Sequence, residues 1–222
     1  MRCRLAVALA LVVAIPLVAQ NGATRLPGRV PPAALPAIDS MIAMAVAESL
    51  PTEPLVQKAL EGSAKSVPAD RLVTAVRRSL QQLRQARIIV ARALAAGGQV
   101  NQPLPEGHVA AVGAALARGL PGSIVEKLLG MAPNEPPGPA LHAAADMVAH
   151  HFDPDSATEL LVEAHQKGLR GVRLLDVAVA ADHELQRRGG RTPAEALAHV
   201  RAMLPNVPAA ESAVTRRGTI GS

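Results

Sequence analysis

Apolar side chains along this chain recur at intervals of three, four and seven residues, which places them on one face of an α-helix. The longest such run spans residues 69–96. Its apolar face is formed by Leu72, Val76, Leu80, Leu83, Val90 and Leu94. No alternating apolar and polar run of useful length occurs, and aromatic strand-forming residues are nearly absent. The pattern therefore predicts an all-α fold.

A short motif recurs where one predicted helix gives way to the next. Residues 64–76 read AKSVPADRLVTAV, and imperfect copies begin at Ala47, Ala117 and Gln166. In each copy Ser or Gly is followed by Leu or Val and, in most copies, by Pro. Ser or Gly suits the C′ position after a helix, an apolar residue suits C″, and proline suits N1 of the following helix. The motif thus predicts a helix end that leads at once into a new helix.

The prolines near these junctions are regularly spaced. A spacing of 16 or 17 residues separates Pro51 from Pro68, Pro105 from Pro121, Pro121 from Pro137, and Pro137 from Pro154. Two steps form a helical hairpin of about 33 residues, so the spacing predicts an array of short antiparallel hairpins. Such arrays stack into α-solenoids, and a compact helical bundle is the alternative. The repeat length is similar to that of tetratricopeptide repeats, but the Trp, Tyr and Phe positions of that family have no counterpart here.

The N-terminal segment predicts export. Residues 1–19 contain two arginines followed by an apolar run too short for the about 20 residues that cross a bilayer, which is typical of a secretory signal peptide. Together with an Ala-, Arg- and Pro-rich composition, this predicts a secreted or periplasmic bacterial protein with no stable membrane insertion after signal removal. Residues 20–36 are predicted to be a Pro-rich linker, 37–205 a single helical domain, and 206–222 a disordered tail.

The chemistry of the chain offers little for catalysis. The single cysteine, Cys3, lies within the predicted signal peptide, so the mature chain has neither a thiol nucleophile nor a disulfide. No G-x-S-x-G elbow, P-loop or G-x-G-x-x-G motif is present. We therefore predict no catalytic and no cofactor-binding residue, and a role other than that of an enzyme is favoured.

One stretch could bind a divalent metal. His142, Asp146 and His150 recur every four residues and so share a face of a predicted helix spanning 139–151. Imidazole and carboxylate groups on successive turns can approach a common cation, as in helical zinc sites, and a metal lowers the pKa of bound water and permits hydrolysis. The alternative is that the histidines lie at a polar seam or pair with Asp146.

The helix predicted over 69–96 is also strongly basic. Its polar faces carry Arg71, Arg77, Arg78, Arg84, Arg87 and Arg92. Such a face can bind phosphate polymers or anionic lipid, or its arginines can pair with acidic neighbours on other helices. The near absence of aromatic residues counts against binding of single-stranded nucleic acid.

These observations predict a secreted or periplasmic scaffold that binds a protein or peptide partner along a groove between stacked helices. The alternative is a metal-binding protein or metal-dependent hydrolase centred on His142, Asp146 and His150. No nucleic-acid partner is expected, and the oligomeric state is left open.

Overall fold

The computed structural model describes residues 25–98, 103–187, 191–204 and 206. Of these residues 72% are helical and none is in a strand, which confirms the predicted all-α class. The nine helices in the described ranges are α1 (Leu35–Ala47), α2 (Glu53–Ala64), α3 (Ala69–Ala96), α4 (Glu106–Ala117), α5 (Gly122–Met131), α6 (Gly138–Ala149), α7 (Pro154–Gln166), α8 (Arg173–Gln186) and α9 (Pro193–Met203).

The predicted signal peptide, residues 1–19, lies outside the described residues, as do all but residue 206 of the predicted tail. None of the helices in the described part of the chain is both long and apolar enough to cross a membrane.

The segment predicted as an extended linker differs from that prediction from Arg25 onward. Leu26 and Val30 are buried in the core, and the Val30 amide donates to the Leu26 carbonyl at 3.1 Å, which closes a helical turn. The Arg25 guanidinium pairs with Glu53 of α2 at 2.8 Å. Two apolar side chains four residues apart thus pack this turn onto the fold. The prolines around them led to the prediction of an extended linker instead.

Helices two positions apart in chain order pack against each other. α3, α5, α7 and α9 form one row, α4, α6 and α8 form the other, and α1 packs on α3. Consecutive helices alternate between the rows, as expected for stacked helical hairpins. α3 and α4 lie close together, so that a Cβ atom added to Gly113 would lie 2.9 Å from Leu83 Cδ2.

Five helices end with the same pair of hydrogen bonds. At the end of α1, the Leu50 amide donates to the Ala45 carbonyl at 2.8 Å and the Ser49 amide to the Val46 carbonyl at 3.0 Å, which is a Schellman motif. The same bonds end α2, α4, α6 and α7, with C″ residues Val67, Leu120, Phe152 and Leu169. The predicted junctions at Leu50, Val67, Leu120 and Leu169 are therefore confirmed, and the junction at Phe152 is a further copy.

The junction prolines lie one or two positions earlier than predicted. Pro68 and Pro121 are N-cap residues rather than N1 residues, and Pro51 precedes the N-cap Thr52. The carbonyls of Pro68 and Pro121 accept the first helical hydrogen bonds, from Leu72 at 2.9 Å and from Val125 at 3.1 Å. A proline fits the N-cap because its fixed φ suits the extended backbone there and the position needs no amide donor.

Non-glycine residues fill the left-handed C′ position at three of the five junctions. Ser49, Ser66 and His151 have φ values of 53°, 54° and 66°, whereas Gly119 has a φ of 90° at the corresponding place after α4. A left-handed backbone costs a residue with a Cβ atom roughly 1–2 kcal/mol.

We expect His151→Gly to raise the free energy of unfolding by about 0.5–1 kcal/mol, because relief of the strain exceeds the added entropy of the unfolded chain. Urea titration followed by circular dichroism measures the change. The matched control is Gly119→Ala, which should destabilise through backbone strain alone, since nothing lies within 4 Å of the added Cβ. A destabilised His151→Gly variant would contradict this account.

Candidate functional site: the outer face of α4, α6 and α8

Two of the three predicted metal ligands lie together on α6. His142 Nε2 is 3.2 Å from Asp146 Oδ2, one turn further along the helix. Arg118, the C-cap residue of α4, places Nη1 3.1 Å from His142 Nδ1 and donates from Nη2 to Asp146. A guanidinium can only donate, so His142 Nδ1 accepts from Arg118 and Nε2 carries the hydrogen that faces Asp146. The three side chains form a closed polar triad between α4 and α6.

The third predicted ligand points to a different helix. His150 is the C-cap residue of α6, and its Nδ1 lies 2.7 Å from Asp182 Oδ1 on α8. The structure thus brings His142 and Asp146 together but gives His150 another carboxylate partner. The shared helical face that the four-residue spacing predicted is divided between contacts with α4 and with α8.

This division bears on the metal prediction. Within the described ranges, no three His, Cys, Asp or Glu side chains form a group that could hold a metal ion. Both ring nitrogens of His142 already have partners, and Asp146 is bound by Arg118. A cation at this place would have to displace the Arg118 guanidinium, so the metal site stays a prediction that the arrangement does not support.

Zinc titration tests that prediction directly. Because the three side chains have separate partners, we expect calorimetry to show no zinc binding tighter than that of isolated surface histidines. Tight binding that is lost in both His142→Ala and His150→Ala would show that these side chains rearrange around a metal. Such binding should also weaken as the pH falls through the histidine range near about 6.5, because a metal binds neutral imidazole.

An apolar groove separates α4 from α6 beside the triad. Its cavity has a volume of about 200 Å³, with a polar rim formed by Arg118 and His142. The remaining lining residues are small or aliphatic: Ala111, Ala114, Ala115, Gly138, Leu141 and Ala145. The alanine methyl groups are too short to fill the space between the helices and Gly138 has no side chain, which leaves the groove open to solvent.

Exposed valines continue this face on α8. Val172, just before the helix, and Val179 are 69% and 49% exposed. Seven residues apart, they share one side of the helix, and Asp182 follows three residues after Val179 on that side. Because Asp182 contacts His150, this side of α8 adjoins α6. We call the surface from the groove to Val179 the α4–α6–α8 face.

The other row of helices has a different outer surface. Glu163 of α7 pairs with Lys167 at 2.9 Å and with Arg201 of α9 at 2.9 Å. The hydrogen bond from Lys167, and to a smaller extent that from Arg201, holds the pKa of Glu163 below its ordinary value. Among the described residues of α5, α7 and α9, no large apolar side chain is exposed. Among the described residues that follow α3, the large apolar side chains that are exposed, Val172 and Val179, therefore lie on the α4–α6–α8 face.

The residues of this face were largely missed from the sequence. Arg118 belongs to the copy of the junction motif that begins at Ala117, and the motif gives it no role beyond the junction. A charged residue directly before Gly119 can nevertheless reach a neighbouring helix. Asp182, His183 and Glu184 are consecutive, so their side chains point in different directions and do not indicate a shared site. The local sequence around these residues does not indicate their partners. Asp146 lies 28 residues after Arg118, and His150 lies 32 residues before Asp182.

Comparison with protein-family models, with curated proteins and with solved structures finds no match for this chain. Its function is therefore inferred from the arrangement of its side chains.

Proposed function

We propose that this protein is a binding scaffold whose α4–α6–α8 face docks a protein or peptide partner. The observation that supports this proposal is the unequal distribution of large exposed apolar side chains among the helices that follow α3. Among the described residues of α5, α7 and α9 no large apolar side chain is exposed, whereas the α4–α6–α8 face exposes Val172, Val179 and an alanine-lined groove to water. Apolar surface rimmed by polar groups is typical of protein interaction sites.

The form of the groove favours a peptide segment as the ligand. It lies between two helices of 12 residues each, which are about 18 Å long. This length matches a few turns of an amphipathic helix laid into a groove, one of the common modes of peptide recognition. Apolar side chains of the partner would fill the alanine-lined cavity, and the rim at Arg118 would donate hydrogen bonds to its backbone or side-chain oxygens.

The proposed location is the periplasm or the cell exterior. Its support is the signal-like sequence of residues 1–19, and the intact mass of the protein recovered from the envelope or medium tests it. Recovery of an unprocessed chain from the cytoplasm would contradict it.

Site-specific photocrosslinking in the producing cell tests the docking face. A photoreactive residue at Ala114, in the groove, or at Val179 should yield the same discrete adduct. The same residue at Lys127, exposed on α5 in the opposite row, should yield none. Equal labelling from all three positions, or no adduct from any, would overturn the proposal.

Once the adduct is identified, its affinity for the purified protein is measured for Ala114→Arg and Val179→Asp. Truncating or blocking a central contact of an interface typically costs 2 kcal/mol or more, so we expect losses of roughly thirtyfold or greater for Ala114→Arg. Lys127→Asp is the control and should bind as the unmodified protein does. Unchanged affinity in both face variants would show that the partner binds elsewhere.

A further inference from the structure

The arginines of α3 fall into two groups according to what they contact. Arg84 donates to both carboxylate oxygens of Glu48, with Nε 2.8 Å from Oε2, and Arg87 donates to the Glu48 carbonyl at 2.8 Å. Arg92 pairs with Glu126 at 2.5 Å. The hydrogen bond from Arg84 holds the pKa of Glu48 below its ordinary value. These three arginines, all in the second half of α3, are bound to the protein's own acidic residues, as one of the two interpretations of the basic helix predicted.

The first half of α3 is different. Arg71, Arg77 and Arg78 are exposed, and none forms a hydrogen bond or an ion pair with another residue that the structure describes. Asp70 is the nearest carboxylate in sequence and likewise has no ion pair in the described part of the chain. Beyond the described residues the sequence contains one acidic side chain, that of Glu211. Among the described residues, no carboxylate therefore pairs with any of these three guanidinium groups.

The net charge also differs between the two parts of the chain, and the positive part is the one that contains α3. Residues 25–98 contain ten Lys and Arg against five Asp and Glu, a net charge of +5. Residues 103–187 contain six against eleven, a net charge of −5. The total net charge of +5 thus conceals a molecule with a basic end that includes α3 and an acidic end beyond it. Such a charge distribution orients a protein in the field of a charged surface.

We propose that Arg71, Arg77 and Arg78, here called the arginine face, dock the protein onto an anionic lipid bilayer. Ile88 is 59% exposed and lies 11 residues after Arg77, on the same side of the helix. It is about 16 Å further along the axis, so one apolar side chain can enter the headgroup region while the arginines contact lipid phosphates. The acidic end is repelled by the same surface, which restricts contact to the basic end.

Other anionic partners fit this face less well. Single-stranded nucleic acid is bound largely by stacking on aromatic side chains, and the chain's one aromatic residue, Phe152, is buried. An acidic protein partner would need an interface with a central apolar or aromatic anchor in a pocket, and no cavity described on the molecule adjoins Arg71, Arg77 or Arg78. A bilayer needs only complementary charge on an exposed helix, which is what the structure provides.

Vesicle flotation with the purified protein tests the proposal. Vesicles of phosphatidylcholine alone are compared with vesicles in which a third of the lipid is phosphatidylglycerol, at low and at physiological ionic strength. We expect binding only to the anionic vesicles, and less binding as salt is added. Each basic side chain near an anionic surface contributes about 1 kcal/mol, or about fivefold in partition, so R71Q/R77Q/R78Q should bind on the order of a hundredfold more weakly.

A charge-matched variant separates this face from an effect of net charge. K127Q/K167Q/R170Q removes three exposed positive charges from the acidic end and should bind anionic vesicles as the unmodified protein does. Circular dichroism confirms that both variants are folded. Equal loss in the two variants, no loss in R71Q/R77Q/R78Q, or binding to duplex DNA or an acidic protein without binding to anionic vesicles would each overturn the proposal. Vesicle binding needs no protein partner, so its outcome is independent of the α4–α6–α8 face.

Discussion

Replacing Phe152 with alanine is expected to lower the free energy of unfolding by roughly 3–5 kcal/mol, the cost typical of emptying a buried aromatic site. The side chain is 2% exposed, and the Phe152 amide donates to the Met147 carbonyl at the end of α6. Its ring closes the junction between α6 and α7 and packs against the core. A loss of this size is a large part of the 5–15 kcal/mol that a typical domain has in total. Urea unfolding monitored by circular dichroism measures it.

Phe152→Leu is the matched control, because leucine occupies the corresponding C″ position at Leu50, Leu120 and Leu169. If the role of Phe152 is to place an apolar side chain beneath the preceding helix, the leucine variant should cost less than about 1.5 kcal/mol. A leucine variant as unstable as the alanine variant would instead show that the aromatic ring is specifically required.

Replacing Leu120 with aspartate is expected to cost roughly 2–4 kcal/mol, because a buried apolar group is lost and a carboxylate must be desolvated. Leu120 is buried at the junction between α4 and α5, where its amide donates to the Ala115 carbonyl at 3.1 Å. Thermal and urea unfolding both report the change.

Val179→Asp makes the same chemical change at an exposed site and should alter stability by no more than about 0.5 kcal/mol. Similar losses at Leu120 and Val179 would mean that the inward and outward faces of these helices are wrongly assigned.

The junctions could be predicted from the sequence because each is determined within about six residues. A Schellman motif needs a residue that tolerates positive φ, an apolar residue after it, and a helix on either side. Leu50, Val67, Leu120 and Leu169 satisfy these conditions by local sequence alone. The helix bounds follow from similar local signals, and at the start of α9 the sequence T-P-A-E forms a capping box in which Thr192 and Glu195 make both of the expected hydrogen bonds.

The contacts of the α4–α6–α8 face could not be predicted in the same way. Whether His150 meets Asp146 or Asp182 depends on how α8 packs across α6, which no local pattern encodes. The junction at Phe152 was not predicted for a different reason, since the left-handed position is occupied by His151 and not by the Ser or Gly of the motif. The 17-residue step from Pro137 to Pro154 already indicated a junction at this point.

Each helix packs mainly on helices that are no more than two positions away in chain order. This arrangement also determines how the protein should fold. Its principal helix contacts all have short sequence separation, so little loop-closure entropy opposes their formation. Proteins with such low contact order fold in microseconds to milliseconds, and folding can begin at any hairpin and spread to the next. During synthesis, a partial chain that ends after α5 or α7 would therefore already hold a native-like stack, onto which each later pair of helices adds.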